Sequence, residues 1–310
     1  MAQYYLIPKR LARAYPALGR ASLWLEARAF KLIFWVMKLL SPEAAIKVAG
    51  FAFWLTGPYT SKAKKADINL AIAFPNESEQ WRRRTTREIF RSLGYAAAEL
   101  LKLDQIWAQH EQRLEFVVHP EALPYLEQKL PVVFVTAHVG CWQVTNLTSL
   151  HFGLTISTVY APESNPIMRD MMLQMRQAFG VKLIASDAGV RPLLKELNDG
   201  HSIGLAMDTR LDSGQLLPYF GREALTNTSA ARLALRSGAA VIPVRGERLP
   251  GARFKITVCA PLVAEDESAH RDDKATSIST QINLCFEEWI RQEPEQWICL
   301  KRRWPKAHKL

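Results

Sequence analysis

The chain has 310 residues, 48% of them hydrophobic and 23% charged, and a net charge of +10. That apolar content supports a real core, in one large α/β domain or two smaller ones, and excludes general disorder. Cys141, Cys259, Cys285 and Cys299 show no CxxC or Cys/His metal spacing and follow no cleavable leader, so reduced thiols facing the cytosol are expected, with no disulfide, metal or cofactor.

The basic charge is unevenly placed. Residues 1–65 carry eleven Lys/Arg against Glu26 and Glu43, and Lys301, Arg302, Arg303, Lys306 and Lys309 end the chain. Between the N-terminal cations stand Phe30, Leu32, Ile33, Phe34, Trp35, Met37, Leu39 and Leu40, the composition of a segment lying on an anionic membrane rather than on nucleic acid. Residues 1–19 read as a loosely structured arm and 20–40 as a helix, interrupted by Lys31 and Lys38 and too short and charged for a confident span. Ser41-Pro42-Glu43 supplies an N-cap and a Pro at N1 for a second apolar helix over 43–55. Two core helices are the plainer reading of this pair. Residues 1–65 are therefore expected to form a membrane anchor, interfacial or single-pass, and 66–310 the functional domain.

Residues 79–103 predict a strong amphipathic helix, with Trp81, Ile89, Phe90, Leu93 and Leu100 on one face. A short strand over 114–119 and a helix over 120–129 lead to the central run, Val132-Val133-Phe134-Val135, which has no breaker and reads as a strand buried on both faces. It stops at Thr136-Ala137-His138-Val139-Gly140, so His138 is delivered to the carboxyl end of a strand beside a helix start, where open α/β sheets bind ligands. Strands over 154–160, 181–185 and 202–207 alternate with helices over 165–179 and 190–198, which is βαβ architecture. The last of these strands runs into Asp208-Thr209-Arg210. A helix over 229–237 and a strand over 240–244 containing Pro243 follow. The fold class is α/β, a mostly parallel central sheet flanked by helices, with membrane-associated helices at the N-terminus.

Ala137-His138-Val139-Gly140-Cys141-Trp142-Gln143 resembles the His-x4-Asp/Glu box of the bacterial lipid A late acyltransferases, with Gln143 in place of the family's carboxylate. Asn69-Leu70 to Phe74-Pro75, the loop Leu217-Pro218-Tyr219-Phe220-Gly221-Arg222, the Val-x-Pro strand ending in an Arg, Pro294-Glu295-Gln296-Trp297 and Arg302-Arg303-Trp304 are similar to the same family, from about residue 20 to the end.

The resemblance implies transfer of a fatty acyl group from a thioester, on acyl carrier protein or coenzyme A, to a hydroxyl or amine of a glycolipid of the lipid A type. It also implies work on the cytoplasmic face of a bacterial inner membrane. An acidic carrier protein would complement the basic chain. The chemistry needs a base, donors for an oxyanion and an apolar slot. His138 suits the first role and backbone N–H groups over 140–143 the second. Gln143 can accept a hydrogen bond from the imidazole but carries no charge to stabilise imidazolium. Three readings stay open: a slower or differently tuned enzyme; one whose carboxylate is Asp208 or, more distantly, Glu99 or Glu163; or a relative that binds lipid or acyl donor without catalysis. A thioesterase using water is a further alternative. Gly140, Arg169, Arg176, Arg210, Gly221 and Arg222 are the candidate substrate-binding residues, the arginines because guanidinium forks match phosphate. Cys141 as an acyl-accepting nucleophile is the rival mechanism, against a small residue packed on the sheet.

Overall fold

Residues 132–136 organise the molecule because their unbroken β-branched and aromatic run leaves no face for water. In the computed structural model, which describes residues 9–162, 165, 168, 169, 173 and 181–305, they form the central strand β2 (Val132–Thr136), below β1 (Leu114–Val118) in chain order. Val133 and Val135 enter one hydrophobic cluster, Val132 and Phe134 the cluster on the opposite face.

The further strands are β3 (Ile156–Tyr160), β4 (Lys182–Ala185), β5 (Ser202–Ala206), a separate hairpin of β6 (Gln215–Tyr219) and β7 (Arg222–Thr226), then β8 (Ala240–Leu249) and β9 (Arg253–Val258). The main sheet has the order β1-β9-β8-β2-β5-β3-β4. Only β8 and β9 pair antiparallel within it. The expected mostly parallel sheet flanked by helices is what the chain forms.

Helices cover both faces. On the N-terminal side lie α1 (Lys9–Ala14), α2 (Pro16–Leu39), α3 (Pro42–Thr56), α4 (Ala63–Ala73) and α5 (Glu79–Ala108). The loose arm expected to residue 19 is helical from Lys9, with Pro16 starting α2 where its fixed φ suits the first turn. The Ser41 side chain accepts from the Ala44 N–H at 3.2 Å, the cap that the sequence predicts for α3. Ser78 does the same for α5, which runs five residues further than its pattern suggests. Buried Lys102 of α5 donates to the carbonyls of Lys38 (2.9 Å) and Leu40, so the end of α2 is fixed to the body of the fold. No helix among the described residues is long and apolar enough to cross a membrane. Instead, α2 and α3 expose Trp24, Leu32, Ile33, Trp35, Leu39 and Phe51, each at least half accessible.

Later come α6 (His110–Arg113), α7 (Leu123–Glu127), α8 (Thr148–Phe152), α9 (Arg191–Asn198), α10 (Ser229–Ser237) and α11 (Arg271–Gln292). Of the helix expected over 165–179, Met168, Arg169 and Leu173 are helical, while Arg176, like Glu163, lies outside the described residues. The stretch 217–226 is a hairpin rather than a loop: Phe220 (φ 53°) and Gly221 (φ 68°) both take the left-handed conformation that a two-residue turn demands. Glu287 of α11 accepts from the Phe220 N–H at 2.7 Å and holds that turn.

Candidate active site

Two parallel strands deliver the site. In the β2–β5 pairing Thr136 stands opposite Ala206, and each chain then runs two residues further, to His138 and to Asp208. The Met207 N–H donates to the Thr136 carbonyl at 2.9 Å, which carries the register past the strand ends. As a result Asp208 Oδ1 lies 2.6 Å from His138 Nδ1 and 3.0 Å from the His138 N–H. Its other oxygen accepts from the Trp297 indole at 3.1 Å. Asp208 is 4% exposed, and a buried carboxylate with three donors is a satisfied one.

Burial opposes charge on both groups, and each favours the charged form of the other. For His138, burial pulls the imidazole pKa down, but the Asp208 carboxylate, by charge and hydrogen bond, lifts it above the ordinary value; Lys301 acts weakly the other way. For Asp208, burial pushes up while His138 and its own hydrogen bonds bring the pKa below the usual carboxylate range.

Gln143 plays a different part from the one its position suggests. His138 Nδ1 is already taken by Asp208, and Gln143 Oε1 is buried with no hydrogen-bond partner among the described residues. It does not supply the imidazole's partner. Glu99 is occupied elsewhere: fully buried, it forms a forked pair with Arg248 of β8. The same guanidinium donates to Ser92 Oγ (3.0 Å), Gln296 Oε1 (3.0 Å) and the Gly140 carbonyl (2.8 Å), so it braces the turn after His138 from behind.

Gly140 is required by that turn. Its φ is +58°, and a Cβ there would stand 2.3 Å from the Gly246 carbonyl oxygen of β8. Its N–H donates to Gln296 O and the Cys141 N–H to Gly246 O, each at 3.3 Å. Neither is left for substrate, which corrects the expected role of Gly140. The N–H groups of Trp142 and Gln143 have no partner among the described residues and are the donors that remain. Val144–Leu147 is a 3-10 turn leading into α8 rather than the helix start expected beside His138. Cys141 is fully buried against β8, and burial pushes its thiol well above the usual range, so it is the packed residue and not a nucleophile.

Two cavities meet at His138. The first, about 320 Å³, runs along the sheet beneath α5 and is walled by Leu100, Leu103, Phe134, Ile156, Leu183 and Val244. Gly204 of β5 also lines it, and a Cβ there would come within 2.9 Å of the Thr158 side chain, so the absent side chain leaves the space open. The second, about 640 Å³, opens over Asp208 and is bordered by Lys62, Arg210, Lys301 and Arg303. Arg210 thus reaches this cleft, paired with Asp212 at 2.7 Å. Exposed Arg169 lines neither cavity, and Gly221 and Arg222 sit at the tip of the hairpin, away from both. Gly221 is explained by its turn.

Trp297 has no role in the sequence reading beyond its motif, Lys62 and Lys301 enter it only as members of basic clusters, and Arg248 carries no signal there. A chain segment that folds back over the site from the far end of the chain leaves no local spacing to read.

The family profile described as bacterial lipid A biosynthesis acyltransferase matches residues 13–306. The chain is 26% identical over 252 residues to the lipid A biosynthesis lauroyltransferase of Escherichia coli (strain K12), covering 78% of each. It is 24% identical over 260 residues to the lipid A biosynthesis myristoyltransferase of the same organism, covering 79% of this chain and 77% of that one. A crystal structure of the 1-acyl-sn-glycerophosphate acyltransferase of Thermotoga maritima aligns with 78% of this chain and 97% of its own at 12% identity, with a TM-score of 0.37.

Proposed function

Because the chain belongs to the bacterial lipid A biosynthesis acyltransferases and is therefore an acyltransferase, we propose that it moves a fatty acyl group from an acyl thioester, carried by acyl carrier protein, to a hydroxyl of a lipid A-type glycolipid, with His138 as general base. The observation that carries this reading is the position of His138 where an aliphatic cavity and a larger cleft rimmed by Lys62, Arg210, Lys301 and Arg303 meet. An acyl chain fits the first and a polar glycolipid headgroup the second, which brings thioester carbon and hydroxyl to one imidazole.

With Nδ1 held by Asp208, Nε2 is the nitrogen left to take the acceptor's proton. The oxygen attacks the thioester carbonyl, and the Trp142 and Gln143 N–H groups are the donors for the resulting oxyanion. Collapse breaks the carbon–sulfur bond, and the thiolate takes the proton from His138. Asp208 stabilises the imidazolium formed in between, the task the family's usual carboxylate would perform from position 143. The exposed apolar side chains of α2 and α3, fringed by exposed Arg28, Lys31, Lys38 and Lys47, support seating on the anionic cytoplasmic face of the inner membrane.

Transfer from labelled acyl carrier protein to a bacterial lipid extract tests the reading. Wild type is expected to produce a labelled lipid and His138→Ala to lose about 10²–10⁴ of the rate. Equal labelling by both would remove His138 from the chemistry.

A further inference from the structure

Two cations at the mouth of the larger cavity have no partner among the described residues. Lys62, the residue preceding α4, and Lys301, in the C-terminal segment, both line it, and among the described residues no carboxylate lies within 4 Å of either ammonium. The other charged groups there are committed: Arg210 to Asp212, Arg303 to the Leu225 carbonyl and Thr226 Oγ1, and Asp208 to His138 and Trp297.

The fold holds the two lysines together at an electrostatic cost. Lys62 stands at the positive end of α4, where a cation is disfavoured. Its pKa is pulled down by partial burial and by the charges of Lys65 and Lys301. The placement is nevertheless built. Fully buried Asn69, seven residues along from Lys62, donates to the carbonyls of Cys299 (2.8 Å) and Lys301 (2.7 Å) and accepts from the Arg303 N–H (3.0 Å). At its other end the same segment donates from the Ile298 N–H to the His138 carbonyl at 2.8 Å. Asn69 therefore fixes Lys301 to the helix that Lys62 starts, and the Ile298 N–H ties the same segment to the reacting centre.

We propose that Lys62 and Lys301 form an anion subsite that grips a phosphate monoester of the glycolipid acceptor. This assignment rests on the acyl transfer reading above. Two compact ammonium groups, each with three donors, suit a tetrahedral dianion whose orientation varies, whereas a forked guanidinium would suit a planar carboxylate. A phosphate between them would relieve their mutual repulsion, and it would sit in the same cavity as His138, next to the hydroxyl that reacts.

The test compares a phosphorylated lipid A precursor with the same lipid after phosphatase treatment, using wild type, Lys62→Gln, Lys301→Gln and Lys301→Arg. Wild type is expected to favour the phosphorylated acceptor in kcat/KM by about tenfold or more, a preference that each Gln variant reduces several-fold, that Lys301→Arg largely retains, and that weakens as salt is raised. The loss should fall on the acceptor's KM. An unchanged preference in both Gln variants, or a loss confined to the KM of the acyl donor, would overturn the assignment while leaving acyl transfer standing. If wild type acylates neither lipid, the transfer reading fails by itself. Calorimetric titration with inorganic phosphate then decides the subsite: binding weakened several-fold in both Gln variants supports it, and binding that is absent or unaffected rejects it.

Discussion

The two cavities that meet at His138 are built in opposite ways. The aliphatic one takes most of its walls from strands of the sheet and from α5, so most of its wall residues also belong to a periodic element. The basic cleft takes Lys62 from the start of α4, Asp208 from the end of β5, and Trp297 and Lys301 from the C-terminal segment. Its parts are adjacent only because β2 and β5 pair in register and because Asn69 and Asp208 hold the last segment down. On the proposed function the slot made of core selects by volume and the cleft selects by charge.

Substitutions can separate these two properties. The largest effect is expected behind both cavities, at Arg248. Replacing it with Met leaves the Glu99 carboxylate buried and unpaired, at a cost of about 3–5 kcal/mol, visible as a lower urea midpoint and loss of activity toward every donor and acceptor. A much smaller change in the urea midpoint would show that the pair is not the brace described here.

Gly204→Val addresses the slot alone. Its side chain enters space where even a Cβ already meets Thr158, so transfer of long acyl chains should fall by about tenfold or more relative to short ones, as expected when a close-packed wall gains volume. Competition between donors of different chain length measures this, and an unchanged chain-length profile would mean that the acyl group lies elsewhere. The smallest effect belongs to the cleft. On the proposed mechanism neutral imidazole is the active base, so the rate rises with pH through the His138 pKa, which Asp208 sets above the ordinary value. Lys301 lowers that pKa, so Lys301→Gln should move the acid limb of the pH–rate profile upward. A downward movement would contradict the charge assignment.

The same contrast explains what the sequence made legible. The run 132–135, the cap at Ser41 and the alternation of strands with helices are local signals, and they place the sheet and bring His138 to a strand end. Asp208 was recognisable as a polar group at another strand end, but its partnership with His138 depends on a pairing register that no local spacing encodes. Asp208 is the alternative carboxylate that the sequence reading also names, while the box by itself assumes an imidazole partner from the same turn, at Gln143. Here it comes from the next strand. Gly221 looked like a site residue because its loop is family-like, yet a two-residue hairpin accounts for it.

The central claim is that Asp208, across the sheet, does for His138 what the substituted position 143 cannot. Turnover of Asp208→Asn and Gln143→Ala, measured side by side with acyl carrier protein as donor, tests it most directly. The account predicts a loss of about 10³–10⁴ for Asp208→Asn, comparable to removing the acid of other His–carboxylate pairs, and a loss of no more than about tenfold for Gln143→Ala, the size of one net hydrogen bond. The reverse order, with Gln143→Ala inactive and Asp208→Asn close to wild type, would contradict it.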